Sequence, residues 1–229
     1  MDHAAVTERF IATHFPHADI AIIAGSTSRG ERTATSDIDL LLIGADLFED
    51  GRPSTAATYD FEGEVFEVFA YTPNGYDEWA QRDVGGHRPV IVHMLVEGIA
   101  VRQDASLEAL RTRWRTVLEA GPKLTGEESR LRRYIITDVL DDLRDATDPL
   151  ELRILASMLF DRTAELMLLS EGHWIGTGKW LPRRLRAAFP ERADQLSTRL
   201  LSDDYPAFAD QVEVELDRAG GRVQAGFVR

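Results

Sequence analysis

Cysteine is absent from the 229-residue chain. Disulfide bonds and thiolate metal sites are therefore excluded, and the composition favours a protein of the reducing cytoplasm. Long apolar runs are absent too, since no stretch approaches the ~20 residues that cross a bilayer. The first 14 residues lack the basic start and apolar run of a signal peptide. We therefore expect a cytoplasmic protein without a membrane partner.

Positive charge is in short supply, with 26 basic against 39 acidic residues and a formal net charge of -13. Such a surface repels phosphate backbones at long range, so a nucleic-acid partner is disfavoured. A small cationic substrate is compatible with this charge. Hydrophobic residues make up 44% of the chain, which is enough for a sizeable core and argues against wholesale disorder.

The two halves of the chain differ in pattern. Short apolar runs at residues 20–24 and 38–43 predict buried strands, residues 59–71 predict a hairpin, and residues 99–102 predict an edge strand. Residues 90–96 fit a helix or a strand. Beyond about residue 104 only helical spacing remains. We predict an α+β fold, with a domain of strands and helices over residues 1–115 and a helical bundle over residues 116–229.

Two acidic residues begin one of the predicted strands. Asp37 and Asp39 are separated by one residue, so both carboxylates project from the same strand face. Adjacent anionic groups repel each other unless a cation neutralises them, and Mg²⁺ suits such hard oxygen ligands. The alternative is that residues 36–39 merely cap the loop before the strand.

A glycine and a serine end the preceding strand. Gly25 allows the backbone to approach a ligand closely, and Ser26 adds a hydroxyl at the start of a candidate helix, where backbone N–H groups bind phosphate. The pattern thus places a phosphate site beside the predicted metal site.

Residues 25–30 (Gly-Ser-Thr-Ser-Arg-Gly), followed by residues 36–40 (Ser-Asp-Ile-Asp-Leu), closely resemble the DNA polymerase beta-like nucleotidyltransferase superfamily. The resemblance implies a mixed sheet with flanking helices. It also implies transfer of a nucleoside monophosphate from a nucleoside triphosphate, with release of pyrophosphate. Gly25, Ser26 and Arg29 would contact the nucleotide, while Asp37 and Asp39 would be catalytic metal ligands.

The resemblance also implies a third acidic residue on a following strand, and Glu67 is the best candidate. It is the sole charged residue on a strand face shared with Val65, Phe69 and Tyr71. The alternative is an edge strand with Glu67 in solvent, and Glu64, nearer the predicted turn, is expected to be solvated. This stretch is similar to adenylyltransferases that modify streptomycin and spectinomycin, in which the matching glutamate is the general base. Metal ligation, base catalysis or both remain open for Glu67.

Lys179 stands out in the helical half, within a Gly-Thr-Gly-Lys-Trp stretch at residues 176–180. It resembles a lysine that reaches the triphosphate in those adenylyltransferases, although a plain turn before a helix is an equal alternative. Asp138 and Asp142 share a helix face, which fits a solvated surface or a site for a cationic acceptor. Arg162 fits a structural ion pair or a phosphate contact.

These observations predict an Mg²⁺-dependent enzyme, with two metal ions, that transfers AMP from ATP to a hydroxyl of a small molecule. An aminoglycoside-like antibiotic is one candidate acceptor. The alternatives are a protein-modifying nucleotidyltransferase of the toxin–antitoxin type and a nucleotide-binding module without catalysis. A monomer or a homodimer is expected.

Overall fold

The computed structural model describes residues 2–224. The chain divides into two compact units, Met1–Ala120 and Gly121–Arg229. The domain boundary predicted at 115/116 falls inside a helix, Leu107–Ala120, that belongs to the first unit.

The first unit contains both of the predicted types of secondary structure. Its strands are β1 (Ile20–Ile23), β2 (Ile38–Ile43), β3 (Ser54–Phe61), β4 (Glu64–Tyr71) and β5 (Ile99–Arg102). Its helices are α1 (His3–His14), α2 (Gly25–Ser28), α3 (Pro73–Gly85), α4 (Val90–Glu97) and α5 (Leu107–Ala120). The ambiguous residues 90–96 are helical. The hairpin begins at Ser54, five residues before its predicted start at Tyr59.

The five strands form one mixed sheet in the order β3-β4-β2-β1-β5. β2 and β4 are parallel neighbours, and the other adjacent pairs are antiparallel. In the parallel pair Asp39 lies opposite Glu67. This register places the predicted carboxylates beside each other on two central strands.

Helices cover both faces of the sheet. Leu41 and Ile43 of β2 pack in a cluster with residues of α3, α4 and α5, whereas Leu40 and Leu42 pack in a second cluster with residues of α1. Side chains alternate along a strand, so β2 is apolar on both faces for most of its length. Its one charged residue, Asp39, lies at the second position of the strand.

The second unit is helical, as predicted. It comprises α6 (Gly126–Asp145), α7 (Pro149–Ser170), α8 (Trp180–Ala188), α9 (Pro190–Leu201) and α10 (Tyr205–Arg218) around its own apolar core. Glu215 is buried there and is neutralised by Arg192 and Arg218. Within residues 2–224, no helix combines the length and the apolar character of a membrane span.

Phe10 anchors α1 to the sheet, which yields a test of the fold. Its fully buried ring stacks on Phe66 with centroids 4.2 Å apart. We expect Phe10→Ala to lower the free energy of unfolding by about 3–5 kcal/mol, because it removes this contact and leaves a cavity. Urea unfolding followed by circular dichroism measures this loss. Val90→Ala, at a residue that is 55% exposed, should change stability by less than about 0.5 kcal/mol, and equal losses would contradict the packing described.

Candidate metal centre at the start of β2

Three carboxylates converge where β2 begins. Asp39 lies in β2 opposite Glu67 of β4, and Asp37 lies one residue before β2. One side-chain oxygen from each residue can be chosen so that all three lie within 4.8 Å of one another. The sequence pattern brings these residues together as predicted, and their oxygens are the ligand type that a divalent cation prefers.

The site disfavours a further negative charge. Burial raises the pKa of the Glu67 carboxyl, and the nearby charges of Asp39 and Asp37 raise this pKa further. A bound divalent cation would reverse both effects, because it replaces lost hydration with direct ligation and offsets the repulsion. The donor set therefore fits a hard divalent cation such as Mg²⁺.

Gly25, which follows β1, lies directly against the side chain of Asp39. The Ala24 N–H donates to the Asp39 carbonyl at 2.8 Å, so the chain leaves β1 directly beside Asp39. Gly25 then adopts a φ of +63°, and a Cβ at this position would lie 1.6 Å from Oδ2 of Asp39. The contact excludes a larger residue unless Asp39 moves, and the left-handed backbone conformation disfavours one further. The glycine that was predicted to admit phosphate thus also makes room for a carboxylate.

The remaining predicted nucleotide ligands of the first unit lie close in sequence to Gly25. Ser26 belongs to α2, a single turn that no side chain caps within the described part of the chain. Arg29 follows α2, and its Nε donates to Oε2 of Glu31 at 3.1 Å. Their contacts to a nucleotide stay predictions.

Sequence reasoning missed a polar network in the loop between α2 and β2. Arg32 donates to Thr27 Oγ1 at 3.0 Å, to the Ser36 carbonyl at 2.9 Å and to Glu64 Oε2 at 2.6 Å. The expectation that Glu64 is solvated was wrong, since only 12% of its side chain is exposed. One signal was available: Glu64 shares a strand face with Phe66, Val68 and Ala70, which are all buried.

The predicted residues of the helical half lie in the second unit. Lys179 is exposed and directly precedes α8. Arg162 lies on α7, with its Nη1 4.0 Å from Oε2 of Glu165. Asp138 and Asp142 are exposed on α6. The roles of all four toward a nucleotide or an acceptor stay predictions.

No protein-family model matches the sequence, and no curated protein matches it. Among solved structures, the fold is similar to the crystal structure of a nucleotidyltransferase-like protein from Exiguobacterium sibiricum 255-15. The similarity has a TM-score of 0.50, covers 94% of this chain and 74% of that chain, and accompanies 15% sequence identity. The chain therefore has a nucleotidyltransferase-like α+β fold, as predicted. The narrower likeness to aminoglycoside adenylyltransferases stays a prediction.

The contact between Gly25 and Asp39 yields a second test. Gly25→Ala should weaken binding of Mn²⁺, a spectroscopic substitute for Mg²⁺, by about tenfold or more, because the new methyl group would displace the carboxylate of Asp39, a candidate metal ligand. Gly51→Ala is the matched control, since Gly51 has a φ of +73° and no atom within 4 Å of its added Cβ. Isothermal titration measures both affinities. Equal affinities in the two variants would contradict the role given to the close contact between Gly25 and Asp39.

The raised pKa of Glu67 yields a third test. In the metal-free folded protein the pKa of the Glu67 carboxyl is raised. In the unfolded chain the same carboxyl titrates near its ordinary pKa of 4.5. Protonated Glu67 therefore contributes fully to the free energy of unfolding below pH 4.5. This contribution is lost as pH rises through the raised pKa of the folded state. Glu67→Gln removes this loss.

We expect the metal-free Glu67→Gln variant to gain stability relative to the parent as pH rises from ~4 to ~7. Denaturant unfolding in the presence of a chelator, repeated across this range, measures the gain. A stability difference that does not change with pH would contradict the electrostatic account of Glu67.

Proposed function

We propose that the protein is a Mg²⁺-dependent nucleotidyltransferase that transfers AMP from ATP to a hydroxyl of a small-molecule acceptor. One observation carries the proposal: Asp37, Asp39 and Glu67 converge beside Gly25, within a nucleotidyltransferase-like fold. A group of three partly buried carboxylates has little structural use, because their repulsion opposes folding. Binding of a divalent cation would offset this repulsion and would explain why the three carboxylates lie together.

Asp37 and Asp39 are the proposed metal ligands. When bound there, Mg²⁺ would offset the charge of the triphosphate and polarise the α-phosphoryl group. Gly25 and Ser26 would position the phosphates through backbone N–H groups and the serine hydroxyl. By resemblance, Arg29 and Lys179 would add positive charge to the triphosphate. The contribution of the chain is mainly orientation and electrostatics.

Glu67 is the proposed general base. The acceptor oxygen attacks the α-phosphorus, the bond from this phosphorus to the bridging oxygen of the β-phosphate breaks, and pyrophosphate leaves. Glu67 takes the proton that the acceptor hydroxyl loses. Its carboxylate lies beside the proposed metal ligands Asp37 and Asp39, where an acceptor hydroxyl would lose its proton. Ligation of the cation by the same carboxylate is compatible with the geometry.

The acceptor is proposed from charge and resemblance. A net charge of -13 favours a cationic small molecule over a polyanion. Aminoglycosides are cationic polyols, which agrees with the resemblance of the residues around Glu67. Asp138 and Asp142 are exposed carboxylates of the second unit that an amine could contact.

Incubation with Mg²⁺ and ATP labelled at the α-phosphate tests this function against a panel of aminoglycosides and lincosamides. We expect one acceptor to gain a nucleoside monophosphate by mass, together with stoichiometric release of pyrophosphate. Asp39→Asn should lower the rate by at least about 100-fold, since it removes a metal ligand. Asp60→Asn, at an exposed residue of the same sheet, should leave the rate unchanged.

Two outcomes would contradict the proposal. Label on proteins of a lysate, with none on any small molecule, would exclude a small-molecule acceptor and favour protein modification. Nucleotide binding that Asp39→Asn does not affect, without turnover of any acceptor, would favour a binding module.

A further inference from the structure

The three carboxylates are not held in place by the same forces. Asp39 and Glu67 lie within the paired segments of β2 and β4, where the parallel ladder fixes their backbones. Asp37 precedes Ile38, the first paired residue of β2. The sheet therefore does not fix the backbone of Asp37, and other contacts must do so if this carboxylate is to stay beside the other two.

Two side chains supply those contacts. The hydroxyl of Thr27 donates to the carbonyl of Asp37 at 3.2 Å, and Nη2 of Arg32 donates to the carbonyl of Ser36 at 2.9 Å. Both peptide groups that flank the Cα of Asp37 are thus tied down. Arg32 also donates to the Thr27 hydroxyl at 3.0 Å, which orients that hydroxyl toward Asp37.

Arg32 is in turn anchored to the strand that carries Glu67. Its Nη2 donates to Oε2 of Glu64, at the first position of β4, at 2.6 Å. Only 20% of the Arg32 side chain and 12% of the Glu64 side chain are exposed. A planar guanidinium that contacts three segments at once defines their separation more sharply than a flexible surface pair does.

We infer that Arg32 is a positioning residue, which holds Asp37 at the distance from Glu67 that cation binding requires. The guanidinium acts through Ser36 and Thr27, and both terminal nitrogens are engaged within the protein. Its role is thus distinct from that of a phosphate ligand. The inference rests on the proposed function, since it presumes that Asp37 and Asp39 bind a cation.

Arg9 offers a matched control for Arg32. Its guanidinium also pairs with a glutamate of the same hairpin, Glu62, but both side chains are about half exposed and neither bonds to residues 27–37. Arg9→Ala removes a comparable ion pair without loosening Asp37. Arg32→Lys keeps the positive charge near Glu64 but lacks the planar guanidinium whose two terminal nitrogens also reach Ser36 and Thr27.

The first experiment needs no metal. Amide hydrogen exchange in the presence of a chelator should speed up about tenfold across residues 29–37 in Arg32→Ala, while β2 and β4 stay protected. Arg9→Ala should leave residues 29–37 unchanged. Exchange that is unaltered in Arg32→Ala would show that this loop is ordered by other contacts and would overturn the inference.

The second experiment measures Mn²⁺ binding by electron paramagnetic resonance. We expect about tenfold weaker binding in Arg32→Ala, parental binding in Arg9→Ala and intermediate binding in Arg32→Lys, because orientation of ligands by neighbouring groups contributes on this scale. Asp39→Asn serves as the reference for a lost ligand. If Asp39→Asn does not weaken binding, the metal site of the proposed function fails. If it does, while Arg32→Ala binds like Arg9→Ala, only the positioning role fails.

Discussion

Asp39 and Glu67 lie side by side on adjacent parallel strands, and the packing of β2 prevents the two residues from separating. Leu41 and Ile43 belong to one core, and Leu40 and Leu42 belong to the other. Sliding the strand by one residue would exchange the two sets and would point Asp39 toward the opposite face of the sheet. The carboxylates alone would move apart to relieve their repulsion. The apolar packing of the sheet holds their strands in register and so keeps them close together.

The surroundings of the site follow from this constraint. Gly25 leaves room for a carboxylate that cannot move aside, and the network of Arg32, Thr27 and Glu64 brings a third carboxylate to the same place. Departures from the usual rule that like charges keep apart are concentrated at functional sites in natural proteins. Here the departure is local, since the rest of β2 is a conventional buried strand. A conflict confined to the adjacent segments of β2 and β4 that carry Asp39 and Glu67 fits the proposed cation site better than a poorly packed region.

Local pattern predicted much of this arrangement from the sequence. Alternation put Asp37 and Asp39 on one face of their strand and made Glu67 the sole charge on a face of β4, and the resemblance of residues 25–30 and 36–40 to a known superfamily implied the fold. That the two faces coincide follows from the parallel pairing of β2 with β4. Other features depend on tertiary structure. Arg32 and Glu64 are 32 residues apart, so only the folded loop reveals their contact. Residues 90–96 are almost uniformly apolar and carry no periodicity that separates helix from strand. The first five residues of β3, Ser-Thr-Ala-Ala-Thr, lack large apolar side chains and gave no strand signal.

Anomalous diffraction from crystals soaked with Mn²⁺ would test most directly whether the converging carboxylates exist to bind a cation. We expect a strong anomalous peak within direct ligation distance of Asp37 and Asp39, at ~2.0–2.3 Å from their oxygens. We also expect the two side chains to keep the positions they have without metal. A peak confined to other parts of the surface, or carboxylates that turn away from each other while the metal binds elsewhere, would contradict this expectation.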